Sequence, residues 1–65
     1  MPSLEDFPVI KIMIVDDDPS VGDLIAIFLT TEGYTPVICT HPQQALDLIK
    51  KEPFHLAFVD IAVIV

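Results

Sequence analysis

Apolar and polar positions along this chain fall into alternating blocks. Ile12-Met13-Ile14-Val15 is an unbroken apolar run, opened by Lys11 and stopped by Asp16-Asp17-Asp18-Pro19. Without period-2 alternation, such a run suits a strand buried on both faces of a parallel sheet, and its shortness favours a strand over a buried helix. Val21, Leu24, Ile25 and Phe28 then recur at helical spacing, with Gly22 and Asp23 on other faces. One apolar stripe laid on a sheet is the expectation, on a helix from Pro19 to Glu32. Asp18 is placed to cap it, because a carboxylate accepts from free first-turn amides and Pro19 has no amide to leave unpaired. Gly33 can take the left-handed conformation that closes it.

The second half repeats the alternation. Tyr34 to Cys39 is short and rich in β-branched and aromatic residues, which predicts a second strand, and Pro36 lacks an amide and so assigns that strand to an edge. Thr40 and Gln43 are spaced as a capping box for a second helix whose stripe is Ala45, Leu46, Leu48 and Ile49. Lys50 and Lys51 favour its carboxyl end, and Pro53 forbids continuation. Leu56 to Val59 reads as a third buried strand ending at Asp60, with Phe28, Phe54 and Phe58 as core residues. Strand, helix, strand, helix, strand implies parallel strands joined by right-handed crossovers.

Length and composition narrow the classes. A chain of 65 residues buries only about 60% of its unfolded surface, enough for one small domain. The hydrophobic share is 52% and the net charge −7, from ten acidic residues against three lysines, which argues against disorder and against a nucleic-acid surface. Cys39 stands alone, so no internal disulfide is expected and a reducing compartment fits. Residues 1–8 are acidic, without the positive start and apolar centre of a secretory signal, and read as a flexible leader. The apolar run from Ile61 is far shorter than the roughly 20 residues of a membrane helix, and a cytoplasmic location with no membrane contact is expected.

The candidate chemistry is acidic. Asp16 and Asp17 follow a strand and precede a helix, the edge of an α/β sheet where ligands bind. Two adjacent carboxylates there repel unless a cation or proton intervenes. If the first and third strands are neighbours, Asp60 joins them, and three carboxylates suit a hard divalent cation such as Mg²⁺ with phosphate oxygens as co-ligands. A carboxylate can also be the nucleophile toward phosphorus. His41 before Pro42 reads as a turn residue and His55 as solvent-facing; no zinc spacing and no glycine-rich phosphate loop occurs.

Lys11-Ile12-Met13-Ile14-Val15-Asp16-Asp17-Asp18-Pro19, Glu32-Gly33-Tyr34, Pro42-Gln43-Gln44-Ala45-Leu46 and Leu56-Ala57-Phe58-Val59-Asp60-Ile61 together resemble the first half of a response-regulator receiver domain. The resemblance implies an α/β, flavodoxin-like (CheY-like) doubly wound parallel sheet, here truncated to β-α-β-α-β with strand order 2-1-3 over residues 9–65. It implies a two-component phosphorelay module rather than an enzyme. In it a sensor histidine kinase or phosphotransfer protein passes a phosphoryl group to Asp60, and Mg²⁺ is held by Asp16, Asp17, Asp60 and the backbone carbonyl of Ala62. The family continues past its acceptor with Met-Pro and a nearby Asp-Gly, whereas this chain reads Ile61-Ala62-Val63-Ile64-Val65. Positions matching the family's hydroxyl-bearing and lysine switch residues do not occur among these residues, so impaired switching is expected.

Two other readings compete. Strand-Asp16-Asp17-Asp18 also resembles the Asp-x-Asp signature of haloacid-dehalogenase-like phosphatases, with Asp16 as nucleophile and Asp18 as general acid. That family has Thr or Val two residues past the second Asp, where this chain has Ser20. The third reading is a non-catalytic interaction fragment that pairs, or self-associates, through the edge of its third strand.

Overall fold

The computed structural model describes residues 9–60. Its elements are β1 (Lys11–Val15), α1 (Pro19–Thr31), β2 (Thr35–Cys39), α2 (Pro42–Lys51) and β3 (Leu56–Val59). The strands form one parallel sheet in the order β2-β1-β3, the arrangement expected. The leader and Ile61 to Val65 lie outside the described residues.

β1 is the axis of the fold because its neighbours occupy both edges and helices cover both faces. Ile12, Met13, Ile14 and Val15 are all buried. Their side chains alternate: Ile12 and Ile14 pack with Leu29 of α1, flanked by Ile10, Ile25 and Ala26. Met13 and Val15 pack with Cys39 and Ala45 beneath α2, flanked by Leu48 and Phe54. Each such side chain removed from water contributes roughly 1.5–3 kcal/mol, so this one strand anchors both half-cores.

The ends of α1 follow the sequence signals. Asp18 Oδ1 accepts from Ser20 N at 2.9 Å. At the other end Gly33 has φ 91°, with Gly33 N donating to Thr30 O and Tyr34 N to Leu29 O. Those are the paired bonds of a Schellman closure, which needs a residue tolerant of positive φ.

The faces of the elements correct several expectations. α1 lays Gly22, Ile25, Ala26 and Leu29 on the sheet, while Val21, Leu24 and Phe28 are exposed. Gly22 lets the helix come close: a Cβ there would lie 3.2 Å from Ile38 Cγ2. The stripe is thus rotated toward the small residues, because a helix settles where its backbone can approach most nearly. In α2, Ala45 is buried and Leu48 half-buried, with Leu46 and Ile49 exposed. The α2 box is closed by Gln44 rather than Gln43: Gln44 Oε1 accepts from His41 N at 3.2 Å and Thr40 N at 2.9 Å. His41 is the cap residue, one position later than expected, and Gln43 instead donates to Asp47. β3, expected to be buried, is exposed along its whole length, Phe58 included, because among the described residues only β1 flanks it.

His55 is exposed as expected but engaged. Its Nδ1 accepts from Lys11 N at 3.0 Å, and its own N donates to Lys11 O at 2.9 Å, tying the start of β3 to the start of β1. Lys11 Nζ also pairs with Glu52 and sits over the Phe54 ring.

Candidate functional site

The site is made by strand ends. β1 and β3 run parallel and in register, with Val15 beside Val59, so the next residue of each, Asp16 and Asp60, emerges at the same carboxyl edge. Asp60 N donates to Val15 O at 2.8 Å, and Asp16 N donates to Cys39 O at 3.0 Å. Asp16 is therefore held from the β2 side and Asp60 from the β1 side. Asp17 begins the turn into α1.

Asp16, Asp17 and Asp60 come together, each offering a carboxylate oxygen within 4.8 Å of the others. Asp16 is buried, at 8% exposure, Asp60 is half-buried and Asp17 is exposed. Asp16 Oδ1 accepts from Asp18 N at 2.9 Å, which fixes that carboxylate. Ile14, Val15, Ile25, Phe58 and Val59 line a cleft with Asp16 and Asp60. The donor set fits a hard divalent cation. Oxygen ligands about 2 Å from Mg²⁺ lie within roughly 4 Å of one another, and all three groups are hard anionic oxygens.

Asp18 takes no part in the cluster. Its carboxylate is turned to the amino end of α1, as the cap of that helix. Ala62, the fourth expected ligand, lies outside the described residues. Neither His41 nor His55 joins any carboxylate group that could hold a metal among the described residues.

Parallel strands ending in an acidic corner at their carboxyl edge, with a helix on each face, define an α/β domain of the doubly wound kind. Comparison with known proteins then narrows the class. No family model and no solved structure matches the chain. Curated relatives do. An NtrX-like response regulator of Rickettsia felis is 35% identical over 52 residues, 80% of this chain and 11% of its own length. The regulatory protein VanR of Enterococcus faecium is 39% identical over 51 residues, 78% of this chain and 22% of its own. The transcriptional regulatory protein BaeR of Escherichia coli is 31% identical over 51 residues, 78% of this chain and 21% of its own. The chain is a receiver-domain fragment of the two-component kind, similar over about four fifths of its own length to part of each of these response regulators. It spans between about a tenth and a quarter of the relatives it matches. No helix among the described residues is long and apolar enough to cross a membrane.

Proposed function

We propose that the acidic corner is a phosphoacceptor site, with Asp60 receiving a phosphoryl group from a sensor histidine kinase or phosphotransfer protein. The observation that carries this reading is the convergence of Asp16, Asp17 and Asp60 at one sheet edge. A carboxylate oxygen of Asp60 forms the new O–P bond as the donor's N–P bond breaks, and the donor imidazole leaves with the electron pair. The acyl phosphate produced stays on the chain, so the module is a phosphorylated signalling element and not an enzyme.

Asp16, Asp17 and Asp60, with the backbone carbonyl of Ala62, are the residues that would hold Mg²⁺. When bound, the cation supplies positive charge that offsets repulsion between the carboxylates and an incoming phosphoryl group. Asp16 is the rigid member of the set, because its Oδ1 is committed to Asp18 N. Asp17, exposed at the turn, can adjust to the ion.

The phosphatase reading finds less support. It requires Asp18 as a general acid, yet the Asp18 carboxylate is engaged with Ser20 N at 2.9 Å as the α1 cap.

Incubation of the chain with a small acyl phosphate and Mg²⁺, followed by intact-mass spectrometry, tests the proposal. One added phosphoryl group, labile to hydroxylamine and lost in Asp60→Asn, is expected. Unchanged phosphorylation in Asp60→Asn, or its abolition by Asp18→Asn alone, would refute the assignment.

A further inference from the structure

His55 stands at the amino edge of the sheet, immediately before β3, and holds β1 twice. Its backbone N donates to Lys11 O at 2.9 Å, and its side-chain Nδ1 accepts from Lys11 N at 3.0 Å. A backbone N–H can only donate, so Nδ1 carries a lone pair in this contact and the proton of the neutral ring is on Nε2. The two bonds engage both main-chain polar groups of Lys11 and close just ahead of the first strand pair, Ile12 with Leu56.

The strand that follows carries no register signal of its own. Leu56-Ala57-Phe58-Val59 is apolar throughout, so a slip of two residues along β1 keeps the same faces turned to the same sides, and polar features at the ends must tell one alignment from the next. At the far end that alignment decides the chemistry. Val59 beside Val15 sets Asp60 by Asp16, with carboxylate oxygens of Asp16, Asp17 and Asp60 within 4.8 Å of one another. Each residue of slip moves Asp60 by about 3.3 Å along the strand, enough to disperse that cluster.

We propose that His55 is a positioning residue for the acidic corner: its unprotonated Nδ1 locks β3 in register on β1 so that Asp60 stands at Asp16, and a proton on the imidazole opens the lock. Protonation puts an N–H at Nδ1, donor against donor with Lys11 N. The charged groups at this end favour opening. Lys11 of β1 pairs through Nζ with Glu52 at 2.7 Å and lies over the Phe54 ring, Lys50 and Lys51 end α2, and Asp47 of α2 is bonded to Gln43. Glu52 is thus committed to Lys11, and an imidazolium here joins lysines. Imidazoles change charge between about pH 5 and 8, so the lock is closed on the alkaline side and lost as pH falls. For its effect on binding, the inference rests on reading Asp16, Asp17 and Asp60 as a divalent-cation site. Acid then weakens cation binding from the opposite edge of the sheet, by releasing the strand that brings the third carboxylate.

Amide hydrogen exchange and a Mg²⁺ titration of the full chain, each followed by NMR at about pH 8 and about pH 5.5, on either side of imidazole titration, test the proposal. The His55 and Asp60 amides donate to Lys11 and Val15. Their protection, relative to the intrinsic exchange rate, is expected to fall roughly threefold to tenfold in acid, the worth of one hydrogen bond, and the Mg²⁺ dissociation constant to rise by a similar factor. His55→Asn offers an acceptor oxygen in place of Nδ1 and does not titrate; it is expected to keep protection and Mg²⁺ affinity at both pH values. His55→Leu is expected to show the acid behaviour at both. His41, the other histidine of the chain, is present in all three proteins and cannot produce the difference. Wild-type protection that acid leaves unchanged, an equal acid loss in His55→Asn, or a His55→Asn chain that matches His55→Leu would each overturn the proposal. Protection that falls as expected, with no Mg²⁺ saturation at either pH, would sustain the lock and overturn the cation reading instead.

Discussion

Asp16, Asp17 and Asp18 are consecutive in the chain, yet three different physical roles separate them. Asp16 is buried and fixed by the amide two residues on, Asp17 faces solvent at the turn, and Asp18 spends its carboxylate on the first amides of α1. Asp18→Ala is therefore expected to lower stability by about 1 kcal/mol, the usual worth of a cap, while leaving the Mg²⁺ response of Asp16 and Asp17 in place. Urea denaturation with and without Mg²⁺ separates the two effects. Cys39 makes a second prediction at this scale. Burial raises its thiol above the ordinary value of 9.0, so the unfolded chain ionises it first. The folded state binds more protons in that interval, and stability is full below pH 9 and falls as pH rises through the folded value. Denaturation midpoints are expected to decline on the alkaline side, and Cys39→Ala to flatten that decline.

At the scale of elements, the helix α1 is positioned by its small residues. Gly22 sits against Ile38, where an added Cβ would already be only 3.2 Å from that side chain. Gly22→Val adds further bulk in this contact and is expected to destabilise by about 1–3 kcal/mol, as overpacking does, with the loss read from thermal unfolding. The element boundaries were legible in the sequence because caps, prolines and Gly33 are local signals, acting through hydrogen bonds and dihedral limits within a few residues. The faces were less legible. Leu24 and Phe28 have the stronger apolar character, but Gly22 and Ala26 permit the closer approach, and periodicity counts only the former. Gln44, not Gln43, closes the α2 box for a related reason: the spacing rule counts from Thr40, whereas the chain caps this helix one residue later, at His41.

For the whole molecule, the acidic corner depends on the alignment of β3 with β1. Asp60 is the residue after Val59, which lies beside Val15, so the register of the two strands carries its carboxylate to Asp16. An amide-resolved NMR titration with Mg²⁺ is expected to move signals of Asp16, Asp17 and Asp60 to saturation, and to do so far less in Asp60→Asn. A flat response would remove the metal site while leaving the fold untouched.

The sequence by itself determined the order of the elements, the cap of α1, the edge position of β2 and the identity of the acidic residues, since each rests on a local constraint such as a missing amide or a positive φ. It also carried the receiver-domain resemblance that the curated relatives bear out. Tertiary structure decided which side of each helix is buried, that His55 joins β3 to β1, and that β3 is exposed along its length. It also decided that Asp60, 44 positions beyond Asp16, stands beside it. Such distances depend on strand register and helix approach, which are settled by packing across the sheet rather than by neighbours along the chain.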